Sequence, residues 1–239
     1  MRIVLLALVV LVAGAAATHL PVDRQDEPSV FEISTDYGTM RIRLADETPG
    51  HRDNFRTLVA EGFYDGTLFH RIINGFMIQG GDPLSRDADD PLKVGGGGPG
   101  YELEAEFHRN LIHRRGAVAS ARQGDAQNPE RKSSGSQFYI VHGRTFDDAE
   151  LDEVERRIRS ATNDTTFAYT AEERNIYRTE GGAPFLDMQY VVFGQLIDGF
   201  DVLDSLAAVP TPNSLERPAL PPLMDRPLTP VPMSIRAVE

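Results

Sequence analysis

Apolar and polar residues alternate over Met40-Arg41-Ile42-Arg43-Leu44, and Phe31-Glu32-Ile33 carries the same pattern upstream. A period of two puts one set of side chains on a core and the other in water, so both runs are predicted strands. Asp36-Tyr37-Gly38 between them is turn-forming, which makes the pair a hairpin. Thr48-Pro49 marks a helix start, with Thr48 as N-cap and Pro49 at the first helical position. Phe55, Leu58 and Val59 recur on one face of that helix, and Gly62 ends it. Further short β-rich runs stand at 69–73, 76–79, 116–120, 138–141, 190–195 and 233–238. A second helix over 200–207 would bury Val202, Leu203 and Leu206. Many short strands with glycine-marked turns predict an antiparallel barrel or sandwich.

Two stretches look added to that core. Residues 145–184 read as a helical, acidic insertion, with Leu151, Val154 and Ile158 on one face of its first helix. Thr170 and Glu173 form a capping box for its second helix, and Gly181-Gly182 stops it. Residues 209–232 hold half of the 16 prolines, which forces an extended, irregular connector.

The first 17 residues read as a secretory signal. Residues 3–17 are uncharged and apolar or small, follow Arg2, and end in Ala15-Ala16-Ala17, the small-residue pattern of a cleavage site. That run falls short of the ~20 residues of a membrane-spanning helix, so no stable span is expected after cleavage near Ala17. An uncleaved anchor is the alternative. Residues 18–29 read as a flexible lead-in to a domain over 30–239. The expected location is periplasmic or extracellular, and the expected state is a monomer.

Composition narrows the chemistry. With 24 basic residues against 36 acidic ones, the net charge of −12 disfavours nucleic-acid binding, which rests on cationic neutralisation of phosphates. The absence of cysteine rules out disulfides, thiolate metal sites and a cysteine nucleophile. Six scattered histidines offer no metal pair at helical spacing, and Asp87, Asp89 and Asp90 lack the glycine and distal glutamate of a calcium loop. Gly95-Gly96-Gly97-Gly98-Pro99-Gly100 satisfies a dinucleotide fingerprint literally, but no strand-helix-strand unit follows, so it reads as a mobile loop. Asn163-Asp164-Thr165 is a glycosylation sequon. Neither a metal nor another cofactor is called for.

The most informative run is Phe69-His70-Arg71-Ile72-Ile73-Asn74-Gly75-Phe76-Met77-Ile78-Gln79-Gly80-Gly81-Asp82-Pro83. Gly135-Ser136-Gln137-Phe138-Tyr139-Ile140 forms a second block, and Phe185-Leu186-Asp187 with Tyr190-Val191-Val192-Phe193-Gly194 a third. In these blocks and their order the chain closely resembles the cyclophilin family of peptidyl-prolyl isomerases, over about 30–238 apart from the insertion. The resemblance implies a mainly β fold: an eight-stranded antiparallel closed barrel capped by two helices, here with an inserted helical hairpin, and substrate on the outer face.

It also implies a site. Arg71 is the catalytic donor. Phe76, Met77, Tyr139 and Leu186 match the apolar pocket for the proline ring, with Gln79 and Gln137 as polar neighbours. Ala121 and Arg122 match the segment that holds the substrate main chain. Phe185 and Tyr190 stand on the rim, where the family frequently has Trp and His, and Tyr139 stands where Phe is common. His70 belongs to the same set, in a supporting role, because the reaction transfers no proton. Strand alternation would put Phe69, Arg71 and Ile73 on one side and His70 and Ile72 on the other. Expected partners are proline-containing peptides and unfolded or partly folded exported proteins. Two rivals stay open at this level: a non-catalytic module that binds a proline segment, and a chaperone surface on the insertion. From its place between matched blocks, the insertion is expected to be dispensable for turnover of a small peptide.

Overall fold

The computed structural model describes residues 29–86 and 91–238. The expected signal at 1–17, nearly all of the lead-in and the Asp87–Asp90 turn lie outside the described residues.

Strands β1 (Val30–Thr35) and β2 (Gly38–Leu44) form the expected hairpin, with Ile33 opposite Met40. Helix α1 (Pro49–Ala60) follows, then β3 (Arg71–Ile73) and β4 (Met77–Gly80). A two-residue pair, β5 (Glu102–Leu103) with β7 (Ser133–Ser134), brackets β6 (Ala117–Ser120), and β8 is Phe138–Val141. The insertion supplies α2 (Asp148–Thr162) and α3 (Ala171–Thr179). Strand β9 (Val192–Asp198), helix α4 (Phe200–Ala207) and β10 (Met233–Ala237) complete the chain. Among the described residues no helix is long and apolar enough to cross a membrane.

Eight strands form one antiparallel sheet in the order β10-β1-β2-β9-β6-β8-β4-β3, curled into a half-barrel. Among the described residues no strand pair joins the outer two. The seam is spanned just before β3, where the Phe69 amide donates to Val231 O (2.9 Å) and the Met233 amide to Thr67 O (2.8 Å). Alternation decides what lies inside. Ile72, Ile78, Ile140 and Val118 lie on successive paired strands and face the interior. There Phe55 of α1 packs its ring within 5.2–5.8 Å of Phe31, Tyr64, Phe138 and Phe193. Each such ring contributes on the order of 1.5–3 kcal/mol by leaving water. Helix α1 packs on β10 and β9, and α4 on β2, β3 and β4.

Three local expectations need correction. Thr48 holds the N-cap position of α1 but makes no side-chain cap; Glu106 donates nothing and accepts from the Gly50 and His51 amides at 2.9 Å each. A carboxylate does this better than a hydroxyl, because it also meets the positive end of the helix. Phe69 does not share a side with Arg71. Pairing of β3 begins only at Arg71, and Phe69 turns into the interior cluster against Phe138. The glycine run is tied down rather than mobile. Buried Asp82 accepts from the Gly95 and Gly97 amides, while Gln137 Nε2 donates to Gly95 O (3.0 Å) and Gly97 O (2.8 Å).

The insertion folds as two helices with a cluster of its own, in which Leu151, Val154, Ile158, Phe167, Tyr169 and Tyr177 are buried. Both helices carry capping boxes, Thr170 with Glu173 as expected and Asp147 with Glu150 in addition.

Candidate active site

The outward-facing residues of four strands make a transverse row. Arg71 on β3 pairs with Gln79 on β4, Gln79 with Tyr139 on β8, and Tyr139 with Ala119 on β6. Directly paired residues share a face of a sheet, so the row runs from a cation through an amide to an apolar floor. The neighbouring row is apolar: Ile73, Met77 and Val141. The apolar members of these two rows, with Phe76, Leu186 and Tyr190 packed against them, form a second cluster outside the barrel.

Arg71 is 44% exposed at its side chain. Its Nη1 donates to Gln79 Oε1 at 3.3 Å, and its Nε lies 3.5 Å from Asp225 Oδ2 in the proline-rich connector. The guanidinium is therefore steadied on two sides while remaining open to solvent. Gln79 in turn donates through Nε2 to Gln137 Oε1 at 3.1 Å, and Gln137 is fixed by the glycine loop. One polar relay thus runs from the cation to the loop. Gln79 also joins two cavities. A cavity of about 460 Å³ lies between the glycine loop, Ala121, Arg122 and Gln137, and one of about 470 Å³ lies between His70, Arg71, Asp225 and Pro221-Pro222.

The apolar part is built from rings. Phe76 and Phe185 pack at 5.5 Å, and Tyr190 meets the Tyr139 ring edge-on at 6.1 Å. The Arg122 guanidinium carbon lies over Tyr190, 4.5 Å from the ring centroid, and its Nε donates to Gln189 O at 2.9 Å. Its side chain thus braces the rim. The Ala121 amide donates to Gln137 O and its carbonyl accepts from the Ser134 amide. Its methyl belongs to the outer apolar cluster. His70 is buried, and burial pushes its pKa down to about 4, which keeps the imidazole neutral.

The structure thus brings Arg71, Gln79, Gln137, Phe76, Met77, Tyr139, Leu186, Phe185, Tyr190 and Arg122 to one side of the sheet. Sequence reading missed Asp225, whose only signal was its place in an irregular segment. It also missed His113, whose Nε2 lies 2.9 Å from the Tyr139 hydroxyl. Burial pushes the Tyr139 pKa well above its ordinary value, so the phenol stays protonated.

Residues 30–235 match the family described as "Cyclophilin type peptidyl-prolyl cis-trans isomerase/CLD". A putative peptidyl-prolyl cis-trans isomerase of Staphylococcus aureus is 35% identical over 176 residues, covering 73% of this chain and 79% of that protein. A putative bifunctional phosphatase/peptidyl-prolyl cis-trans isomerase of Streptococcus pyogenes is 37% identical over 81% of this chain, which spans only 37% of that longer protein. Among solved structures, a cyclophilin type peptidyl-prolyl cis-trans isomerase of Cryptosporidium parvum superposes with a TM-score of 0.60 at 26% identity, covering 89% of this chain and 98% of its own. The same protein solved in the presence of the dipeptide Ala-Pro gives 0.59 at 25% identity over 88% of this chain and 99% of its own. The chain belongs to the cyclophilin-type peptidyl-prolyl cis-trans isomerases.

Proposed function

We propose that this protein accelerates cis–trans exchange of Xaa-Pro bonds in exported proteins and so assists their folding, with Arg71 as the catalytic residue. The supporting observation is the half-exposed Arg71 guanidinium, steadied by Gln79, in one row with Tyr139 and beside the row of Met77.

Resonance across the C–N bond sets a barrier of about 18–20 kcal/mol, and uncatalysed exchange takes tens to hundreds of seconds. In the twisted amide that resonance is lost and the prolyl nitrogen regains a localised lone pair. No bond to carbon breaks and no proton moves. Catalysis therefore needs only a site that prefers the twisted form to either planar one. Arg71 supplies a permanently charged planar fork of N–H donors to the nitrogen. Phe76, Met77, Tyr139 and Leu186 hold the ring, while the cavity beside Gln137, Ala121 and Arg122 takes the chain before the proline. Dry apolar walls strengthen the charge-dipole contact, and each tenfold acceleration needs about 1.4 kcal/mol of such selective stabilisation. The N-terminal signal reading supports exported clients.

Protease-coupled isomerisation of a short Xaa-Pro peptide tests this, comparing wild type with Arg71→Ala. A loss on the order of a hundredfold or more in kcat/KM is expected. Equal activity would remove Arg71 from the mechanism, and an inactive wild type that still binds the peptide would make the protein a proline-segment binder.

A further inference from the structure

Tyr139 carries its hydroxyl into the protein rather than toward substrate. Its partner, His113, is fully buried, stacks on the Tyr139 ring with centroids 6.0 Å apart, and accepts or donates at Nε2. The other ring nitrogen settles which. Nδ1 of His113 lies 2.8 Å from Asp187 Oδ1, and a carboxylate oxygen only accepts. Nδ1 therefore holds a proton, and in the neutral imidazole Nε2 accepts from Tyr139. Asp187 Oδ1 also accepts from the His113 amide at 2.7 Å. Its second oxygen accepts from Tyr169 at 2.7 Å and from Tyr177 at 2.5 Å.

Both of those tyrosines belong to the helical insertion, and both sit in its buried cluster. Asp187 follows the Pro184–Leu186 turn that carries rim residues Phe185 and Leu186. A buried carboxylate is stable only when its lone pairs are answered, and here four N–H and O–H groups answer them, two from the insertion. A continuous hydrogen-bonded chain therefore joins the insertion to the ring at the centre of the candidate site.

Resting on the assignment of Tyr139 to the proline-ring contact, we propose that the 145–184 insertion positions that ring through Tyr169, Tyr177, Asp187 and His113. Without the two phenols, Asp187 keeps two unanswered lone pairs in a dry interior, so it and the imidazole it orients must shift. Tyr139 then loses its fixed acceptor. The proposal runs against the expectation that the insertion is dispensable for turnover of a small peptide. The chain acts by positioning alone, since of its members only Tyr139 lies in the row that carries Arg71 and Gln79.

A double-mutant cycle tests it. Tyr169→Phe/Tyr177→Phe should lower kcat/KM for a short Xaa-Pro peptide about fivefold, within the range of coupling seen for residues of one network. In a Tyr139→Phe background, where there is no hydroxyl to position, the same pair should change kcat/KM by less than twofold. Tyrosines that merely anchor the insertion would lower thermal stability in both backgrounds and leave kcat/KM alone; that result, or equal losses in both, overturns the proposal. If the double variant does not fold, nitrogen-15 NMR of His113 in the wild type decides. A proton on Nδ1 is required, and a proton on Nε2 alone breaks the chain. Activity in the wild type with no coupling defeats only the positioning role, whereas a wild type without isomerase activity defeats the site assignment as well.

Discussion

Arg71 and Gln79 face each other across β3 and β4, and the guanidinium Nη1 stands 3.3 Å from the carboxamide oxygen. Backbone pairing alone puts the two side chains on one face, so the cation does not depend on a mobile loop for its position. Asp225 adds a second restraint from the distant end of the chain.

The role proposed for Arg71 rests on the geometry of its fork as well as on its charge. Arg71→Lys keeps the cation but replaces a planar fork with a mobile point charge. kcat/KM should fall about a hundredfold, as for loss of one fixed donor, with little change in thermal stability because the side chain is half exposed. Lysine activity within threefold of wild type in the coupled assay would show that charge suffices.

Asp225→Ala should have a far smaller effect. The contact is long and its arginine partner is exposed, and pairs of that kind are worth about 1 kcal/mol or less. A fall of about threefold in kcat/KM is expected, since the gap between these two variants measures how much of the arginine's placement comes from β3 itself. Steady-state kinetics at two salt concentrations would check it, because a screened pair should matter less at the higher one.

The glycine loop is stereochemically constrained at one position and free at the next. A Cβ on Gly97 would lie 2.2 Å from Asp82 Oδ1 and 2.8 Å from Leu84 Cγ, whereas one on Gly98 would meet nothing within 4 Å. Gly97→Ala should destabilise by about 1–3 kcal/mol, by pushing the loop off the buried carboxylate it satisfies. Gly98→Ala should be near neutral. Denaturant unfolding of the pair distinguishes this from a general need for flexibility, under which both would suffer alike.

His70 should make the fold acid-sensitive. Burial lowers its pKa to about 4, against about 6.5 for a free histidine. Between those values the unfolded chain binds a proton that the folded protein does not, so stability falls as pH drops through that window. At pH 4.5 the cost is about 2.5 kcal/mol relative to pH 7.5. His70→Phe should therefore lose less stability than wild type between these two pH values. Identical losses in urea titrations would show that carboxylates elsewhere account for the whole effect.

Most of the fold was readable because it is local. Alternation in β2, the heptad-like stripe of α1 and the Thr170/Glu173 box each depend on residues a few positions apart, and each is present. What alternation could not supply was the point where pairing begins. Alternation puts Phe69 on the side of Arg71, but the chain becomes a paired strand only two residues later. The candidate site was legible by resemblance for its surface residues, while the groups behind them were not: nothing in the run around Tyr139 announces His113 or Asp187.

By itself the sequence determined which side chains alternate, where helices start and stop, and that a lone arginine sits among apolar residues, since those properties follow from spacing along one chain. Tertiary structure alone decided which partners answer the buried and charged groups. Glu106 caps a helix that begins at Pro49, Asp225 meets Arg71, and Tyr177 reaches Asp187 from a separate helix. Hydrogen bonds and ion pairs act over a few ångströms, so they depend on which distant segments the sheet and the insertion bring within reach.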